Sequence, residues 1–430
     1  MSQQADTGGF DLLLQDCRLP DGTAADLGCR NGRIAAIGAL SGRPAERTLR
    51  CEGRAVTPGL VESHIHLDKA LLSERAPSLE GTLAEAIRVT GAAKREFTVE
   101  DIQARARAVL DLAVRHGTTT MRSHVEVDPI VGLKGVEALL PLKAEYAPAL
   151  DLQLCAFAQE GILQAPGTED LLAEALAGGV DLVGGCPYND TDPEAHIDAV
   201  FSLASRFGTD ADFHVDFFDE PQHLHVRAIA ERTRRYAWQG RVAVGHCTEL
   251  GALAPADLAP ILSALVESGI GVIVLPATDL YLMGRRDERN VRRGLAPVRR
   301  LLAAGVPVAA ATNNVRNAFT PVGNASLPLM GFLLAVAAHM GTAQDLGNAL
   351  AMLTRHPARI LRVPDYGLAV GCRADLVVWE AERPADIVAA LASPRLVVKA
   401  GRITVEHERI IREPWRGPAA SSQADRHPRG

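Results

Sequence analysis

Val56-Thr57-Pro58-Gly59-Leu60-Val61-Glu62-Ser63-His64-Ile65-His66-Leu67-Asp68-Lys69 is an apolar run that ends in two histidines one residue apart. In a strand, residues two apart point to the same side, so His64 and His66 aim both imidazoles at one spot. Two neutral imidazoles converging on a point supply half of a metal site. A lone histidine after an apolar run carries little information, because most are satisfied core or surface groups. The His-x-His pair is more specific, and it directs attention to the other strand ends.

Short runs rich in Val, Ile and Leu recur along the chain: Val61–His66, Thr118–Val125, Asp151–Phe157, Val180–Gly184, Ala211–Asp216, Arg241–His246, Gly271–Pro276 and Val306–Thr312. Amphipathic stretches separate them. Glu100–His116, for example, reads as a helix with Ile102, Ala106, Val109, Leu110 and Ala113 on one face. Alternation of this kind marks βα units around a buried parallel sheet. Eight units predict a distorted (β/α)8 TIM barrel. A doubly wound sheet is the competing architecture, but no glycine-rich phosphate loop follows the early runs.

The two ends differ in character. Phe10–Val56 carries short alternating stretches (Leu12–Leu14, Arg33–Ile37) broken by Asp21-Gly22 and Asn31-Gly32 turns. Gly367–Ile411 does the same, with Ala374–Trp379 and Leu396–Ile403. The expected organisation is a small composite β-sandwich domain (9–57 and 363–414), a barrel (58–362) and a disordered tail (415–430) rich in Pro, Ser and Arg.

Composition narrows the function. The formal charge of −7 offers no basic field for nucleic acid. No apolar run reaches the roughly 18 residues that span a bilayer, and Met1–Asp6 lacks the pattern of a secretory leader. Seven cysteines without a C-x-x-C pair suggest neither a disulfide framework nor a zinc ribbon. A cytoplasmic protein is expected, with a small molecule as partner rather than nucleic acid or membrane; homo-oligomerisation is left open.

Barrel chemistry sits at the carboxyl ends of the strands. The first run ends in His64 and His66, and the second in His124, with Glu126 and Asp128 beyond. The third ends in Phe157-Ala158-Gln159-Glu160-Gly161, and the fifth in His214-Val215-Asp216-Phe217-Phe218-Asp219. The sixth ends in His246 and the eighth in Thr312-Asn313-Asn314. So many polar residues on an apolar lining point to a site.

Those residues also carry a family resemblance. Pro58–Lys69, Phe157–Ile162, His214-Val215-Asp216 and Gly367…Gly371-Cys372-Arg373-Ala374-Asp375-Leu376-Val377 resemble the amidohydrolase superfamily, within it the cytosine deaminase group that includes the N-isopropylammelide amidohydrolase type. The resemblance implies one divalent metal, zinc first and iron or manganese as alternatives, held by His64, His66 and His214. It further implies that His246 contacts the metal-bound hydroxide and that Gln159 orients the substrate ring.

Two departures qualify it. The deaminase pattern His-x-Asp-Glu, whose glutamate shuttles the proton, has Phe217 in the last place. The aspartate that ends the eighth strand, a metal ligand and base in the family, is Asn313. An amide oxygen can coordinate a metal but is a poor base. Asn313 is therefore expected as a weak ligand, and Lys69 or Asp216 as the replacement acid. Phe217, Asn314, Phe319 and Arg286 are expected to line the substrate pocket, Arg286 as a clamp for a carboxylate.

The expected function is metal-dependent hydrolysis at a ring carbon of a small N-heterocycle, a cyclic amidine, amide or thioamide. With both carboxylates missing, a weakly basic leaving group such as sulfide is favoured over ammonia. The competing readings are a conventional cytosine deaminase-like aminohydrolase and a decayed, ligand-binding pseudoenzyme.

Overall fold

The computed structural model describes residues 8–408, so the expected tail at 415–430 lies outside the described residues. The chain opens with β1 (Phe10–Arg18), β2 (Ala24–Arg30), β3 (Arg33–Gly38) and β4 (Ala45–Pro58). The barrel strands follow: β5 (Leu60–Ile65), β6 (Thr118–Glu126), β7 (Asp151–Ala158), β8 (Leu182–Gly185), β9 (Asp210–Val215), β10 (Val242–His246), β11 (Gly271–Val274) and β12 (Val308–Ala310). The chain returns through β13 (Leu376–Trp379), β14 (Pro394–Lys399) and β15 (Arg402–Glu406).

Strands β5 to β12 pair in sequence order, each parallel to the next. Closure between β12 and β5 explains why the barrel is distorted. At the mouth the backbone of Asn313 joins β5, donating to the His64 carbonyl (2.8 Å) and accepting from the His66 amide (2.9 Å). Lower down, a later segment separates the two strands: the Leu353 carbonyl takes the Val61 amide (3.0 Å) and that of Met352 the Ala310 amide (3.0 Å). Every residue of β5 is buried. Gly59, just before it, passes so close to Thr119 that a Cβ there would lie 2.0 Å from its hydroxyl.

The outer helices hold the strands by apolar stripes. Val99–Arg115 begins at Thr98, whose hydroxyl accepts from the Asp101 amide, and buries Ile102, Ala106, Val109, Leu110 and Ala113 as the spacing predicts. It also buries Arg105, which the sequence pattern did not assign to that face. The Arg105 guanidinium donates to the Asp68 and Ala70 carbonyls (2.7 and 2.9 Å) and fixes the loop that leaves His66.

The two ends of the chain build one mixed sheet in the order β15-β14-β13-β4-β1-β2-β3. Strand β4 belongs to both halves, parallel to β1 along its first part and antiparallel to β13 along its last. Glu52 and Gly53, both at positive φ (56° and 73°), interrupt the register with β1, and from Val56 the strand pairs with β13. Leu12, Leu14, Leu27, Ile34, Val56, Leu376, Val378 and Val398 form a core common to both halves. Leu396–Ile403, read above as one stretch, is a hairpin: Ala400 and Gly401 turn with φ of 47° and 76° between β14 and β15.

Candidate metal centre and active site

The first and fifth strand ends meet on the barrel axis. The Nε2 atom of His214 lies 2.9 Å from that of His64 and 3.0 Å from that of His66. Burial first, and neighbouring cationic or imidazole groups second, hold all three well below the usual histidine pKa, so each is neutral with a lone pair free. The single Nε2 proton that a neutral His214 could carry cannot serve both neighbours. Two nitrogens about 2.0–2.1 Å from one tetrahedral cation stand only about 3.3 Å apart, so the spacing suits a shared ion. Asn313 adds a carbonyl oxygen, Oδ1, that is buried without a partner. The three imidazoles make a donor set that fits one divalent metal, and Asn313, bonded through its backbone to His64 and His66, brings an orphaned amide oxygen to the same mouth.

Several of the strand ends turn through the left-handed region: Asp216 (φ 53°), His246 (70°), Cys247 (55°) and Asn313 (60°) are all non-glycine residues at positive φ. Such backbone costs energy and collects at functional sites. The bend at His246 presents its ring 5.5 Å, centroid to centroid, from that of His214. Its Nδ1 pairs with Asp279 Oδ1 at 2.7 Å, while the other Asp279 oxygen accepts from the Leu275 amide at 3.2 Å. Burial raises the Asp279 carboxyl while His246 works against that shift. With Nδ1 bonded to the carboxylate, Nε2 is left for the site.

Lys69 and Gln159 form a second group. The Lys69 ammonium pairs with Glu126 Oε1 at 2.6 Å, lies 3.4 Å from Gln159 Oε1, and sits 4.4 Å above the centre of the Phe319 ring. Gln159 Nε2 faces the Cys186 sulfur at 3.7 Å. Asn314 is buried and accepts from Asn317 Nδ2 at 2.7 Å. Phe217 stacks on His246 and packs with Phe319, Leu282 and Met283.

Two expected residues have other surroundings. The Asp216 carboxylate accepts from the His225 and Val226 amides (2.7 and 3.2 Å), capping the helix Val226–Arg235. Burial and then Glu249 push it up to about 7. Arg286 is exposed. Asp279, Cys186 and the Lys94 that shares Glu126 with Lys69 were missed. Cys186 and Asp279 follow the fourth and seventh runs, so a search of every strand end and the turn beyond it would have found both.

The amidohydrolase family model matches residues 48–405, most of the chain. The chain belongs to the amidohydrolase family. It is 30% identical over 412 residues to the N-isopropylammelide isopropyl amidohydrolase of Pseudomonas sp. (strain ADP), covering 94% of this chain and 99% of that protein. It is also 30% identical over 352 residues to the pterin deaminase of Rhizobium rhizogenes (strain K84 / ATCC BAA-868), covering 81% and 80%. The solved structure of 5-methylcytosine deaminase from Klebsiella pneumoniae, liganded with 5-fluorocytosine, superposes with a TM-score of 0.90 at 30% identity, covering 94% of this chain and 100% of that one. This amidohydrolase is thus an enzyme of a metal-binding hydrolase family on a distorted TIM barrel. No helix among the described residues is long and apolar enough to cross a membrane.

Proposed function

We propose that this amidohydrolase hydrolyses a ring carbon of a small N-heterocycle, exchanging an exocyclic substituent for oxygen. One divalent metal, zinc by preference, is held by His64, His66 and His214, with Asn313 as a weak neutral ligand. The observation that carries the reading is the convergence of three neutral imidazoles beside the His246–Asp279 pair. When bound, the ion supplies a Lewis acid that activates water for attack. His246 takes up and returns the proton through Nε2, its tautomer set by Asp279. Gln159 and Lys69 orient the ring, and Phe217 and Phe319 give it aromatic walls.

The surroundings of the site bear on the leaving group. Asp216 is committed to a helix start, Asp279 to His246, and Glu126 to two lysines. The Lys69 ammonium remains as a proton donor. The named relatives, an ammelide amidohydrolase and a pterin deaminase, favour a carbon–nitrogen bond. Phe217 and Asn313 in place of carboxylates favour a second reading, a weakly basic leaving group such as sulfide.

The test is metal analysis of the purified protein, then a panel of amino-, alkylamino- and thio-substituted pyrimidines, triazines and pterins assayed for ammonia, amine or sulfide. Roughly one metal per chain and turnover on at least one class are expected. Metal-replete protein that turns over none of them would overturn the proposal.

A further inference from the structure

The groups of the proposed site are shut away from solvent. His64, His66, His214, His246, Asn313 and Gln159 are each at most 4% exposed. A heterocycle reaches them only if part of the mouth moves. The cover over that mouth is the helix Leu83–Ala93. Leu83, Ala86, Ile87 and Val89 pack with Phe217, Leu282, Met283 and Phe319. This is a thin contact. The cover buries only Glu85, Ala86 and Thr90, whereas Val99–Arg115 buries a full stripe of Ile, Val and Leu. Elements with few buried apolar contacts open at the lowest cost.

Two polar clusters flank the cover: one orders its own leading turn, and the other ties its end to the barrel. At its start, Glu85 accepts from the amides of Leu79, Glu80 and Gly81 (2.8, 2.8 and 2.9 Å) and from the Ser78 hydroxyl (2.7 Å). These bonds gather a turn at Gly81, where φ is +68°. At its end, Lys94 is 1% exposed and pairs with Asp128 (2.7 Å), Glu160 (2.7 Å) and Glu126 (2.8 Å). Drawing Lys94 out would leave these acidic groups short of a counter-charge, which is costly for the buried ones. Releasing Glu85 exposes a carboxylate and three amides to water that can solvate them. The helix is therefore anchored at Lys94 and loosens first at the leading turn that Glu85 orders.

The anchor reaches the site. Glu126 grips Lys94 with one oxygen and Lys69 with the other, and Lys69 touches Gln159 and Phe319. We infer that the helix Leu83–Ala93 is a lid through which the substrate enters, and that Lys94 is the positioning residue tying its closure to the placement of Lys69 and Gln159. This rests on the proposed site in so far as Lys69 and Gln159 meet the substrate; the lid itself does not.

The experiment uses the full chain and needs no turnover. Cys186 is fully buried beside Gln159, so its alkylation by iodoacetamide, mapped by peptide mass spectrometry, reports opening of the site. Hydrogen exchange over residues 79–93 reports the lid. Glu85→Gln should speed both by roughly tenfold while exchange in the barrel strands is unchanged. Lys94→Met should speed both, and Lys94→Arg should restore protection. The inference is overturned if Glu85→Gln frees the helix and leaves Cys186 as protected as before, or if the helix exchanges as slowly as the strands in both proteins. Should Lys94→Met fail to fold, the Glu85→Gln comparison still decides. A protein with gated Cys186 but no hydrolysis of any ring would keep the lid and lose the proposed function; hydrolysis with ungated Cys186 would do the reverse.

Discussion

The Phe217 ring lies stacked on the His246 imidazole, with centroids 3.7 Å apart and planes tilted by 24°. His246 is thus held on one face by an aromatic ring and at Nδ1 by the Asp279 carboxylate. Phe217, at the position where the resemblance expects a glutamate, leaves no gap; it walls one face of the neighbouring histidine.

Phe217→Ala should therefore cost both stability and turnover. The ring is fully buried against the underside of the lid, and deleting a buried phenylalanine costs about 3–5 kcal/mol. Urea unfolding measures that loss. Metal content should stay near wild type, because Phe217 stacks on His246 rather than on the proposed ligands His64, His66 and His214. An unchanged unfolding midpoint would mean the contact carries no weight.

Asp279→Asn should lower kcat by roughly 10²–10⁴-fold, the usual contribution of a positioned acid–base group. The amide can donate to Nδ1 and so select the wrong tautomer. His246→Asn should be about as severe. If the two residues act as a unit, the double variant should be scarcely worse than either single one. Additive losses in kcat/KM would separate them.

His64→Ala/His66→Ala should strip the metal and abolish hydrolysis, and full occupancy in that variant would remove the assignment. Asn313→Asp should tighten metal binding, since it exchanges an unpartnered amide oxygen for an anionic one. Competition with a chelator measures this. Equal affinity in the two proteins would place the Asn313 side chain outside the coordination sphere.

The barrel was legible because parallel strands buried on both faces read as unbroken apolar runs. The run Arg241–His246 became β10, Val242–His246, and Val306–Thr312 contains the shorter β12, Val308–Ala310. The hairpin at Ala400-Gly401 was not legible, because alanine at positive φ sends no turn signal, unlike Asn31-Gly32. At the site, histidines on strand ends announced themselves. Asp279 did not, because it lies on the helix Pro276–Leu282 beyond the strand. The sharing of Glu126 by Lys69 and Lys94 joins three distant elements, and local pattern carries no trace of such a contact.

Glu126→Gln should destabilise the protein in a pH-dependent way. Burial opposes ionisation of Glu126, but the ammonium groups of Lys69 and Lys94 outweigh it and hold the carboxyl at about 2. The unfolded chain titrates near 4.5, so the ionised carboxylate contributes stability that is fully present above that pH. The contribution fades as pH falls from 4.5 through 2. Urea unfolding at pH 3 to 7 should show the gap between wild type and variant wide at neutral pH and narrowing in acid. A gap independent of pH would mean the lysines do not hold the carboxylate ionised.

Gly245→Ala should weaken metal binding without removing a ligand. Gly245 sits on β10 one residue before His246, and a Cβ there would come within 2.9 Å of His64 Cε1 and 3.2 Å of its Nδ1. The first distance is shorter than real side chains tolerate, and β10 is held on both sides by β9 and β11, so its backbone cannot retreat. The imidazole must turn instead, carrying Nε2 off the point it shares with His66 and His214. Interiors this well packed transmit strain rather than absorb it. The expected result is a protein that keeps its circular dichroism and most of its unfolding cooperativity, yet loses metal to a chelator faster than wild type. Wild-type retention of metal in a folded Gly245→Ala protein would show that His64 does not need its present orientation to hold the ion.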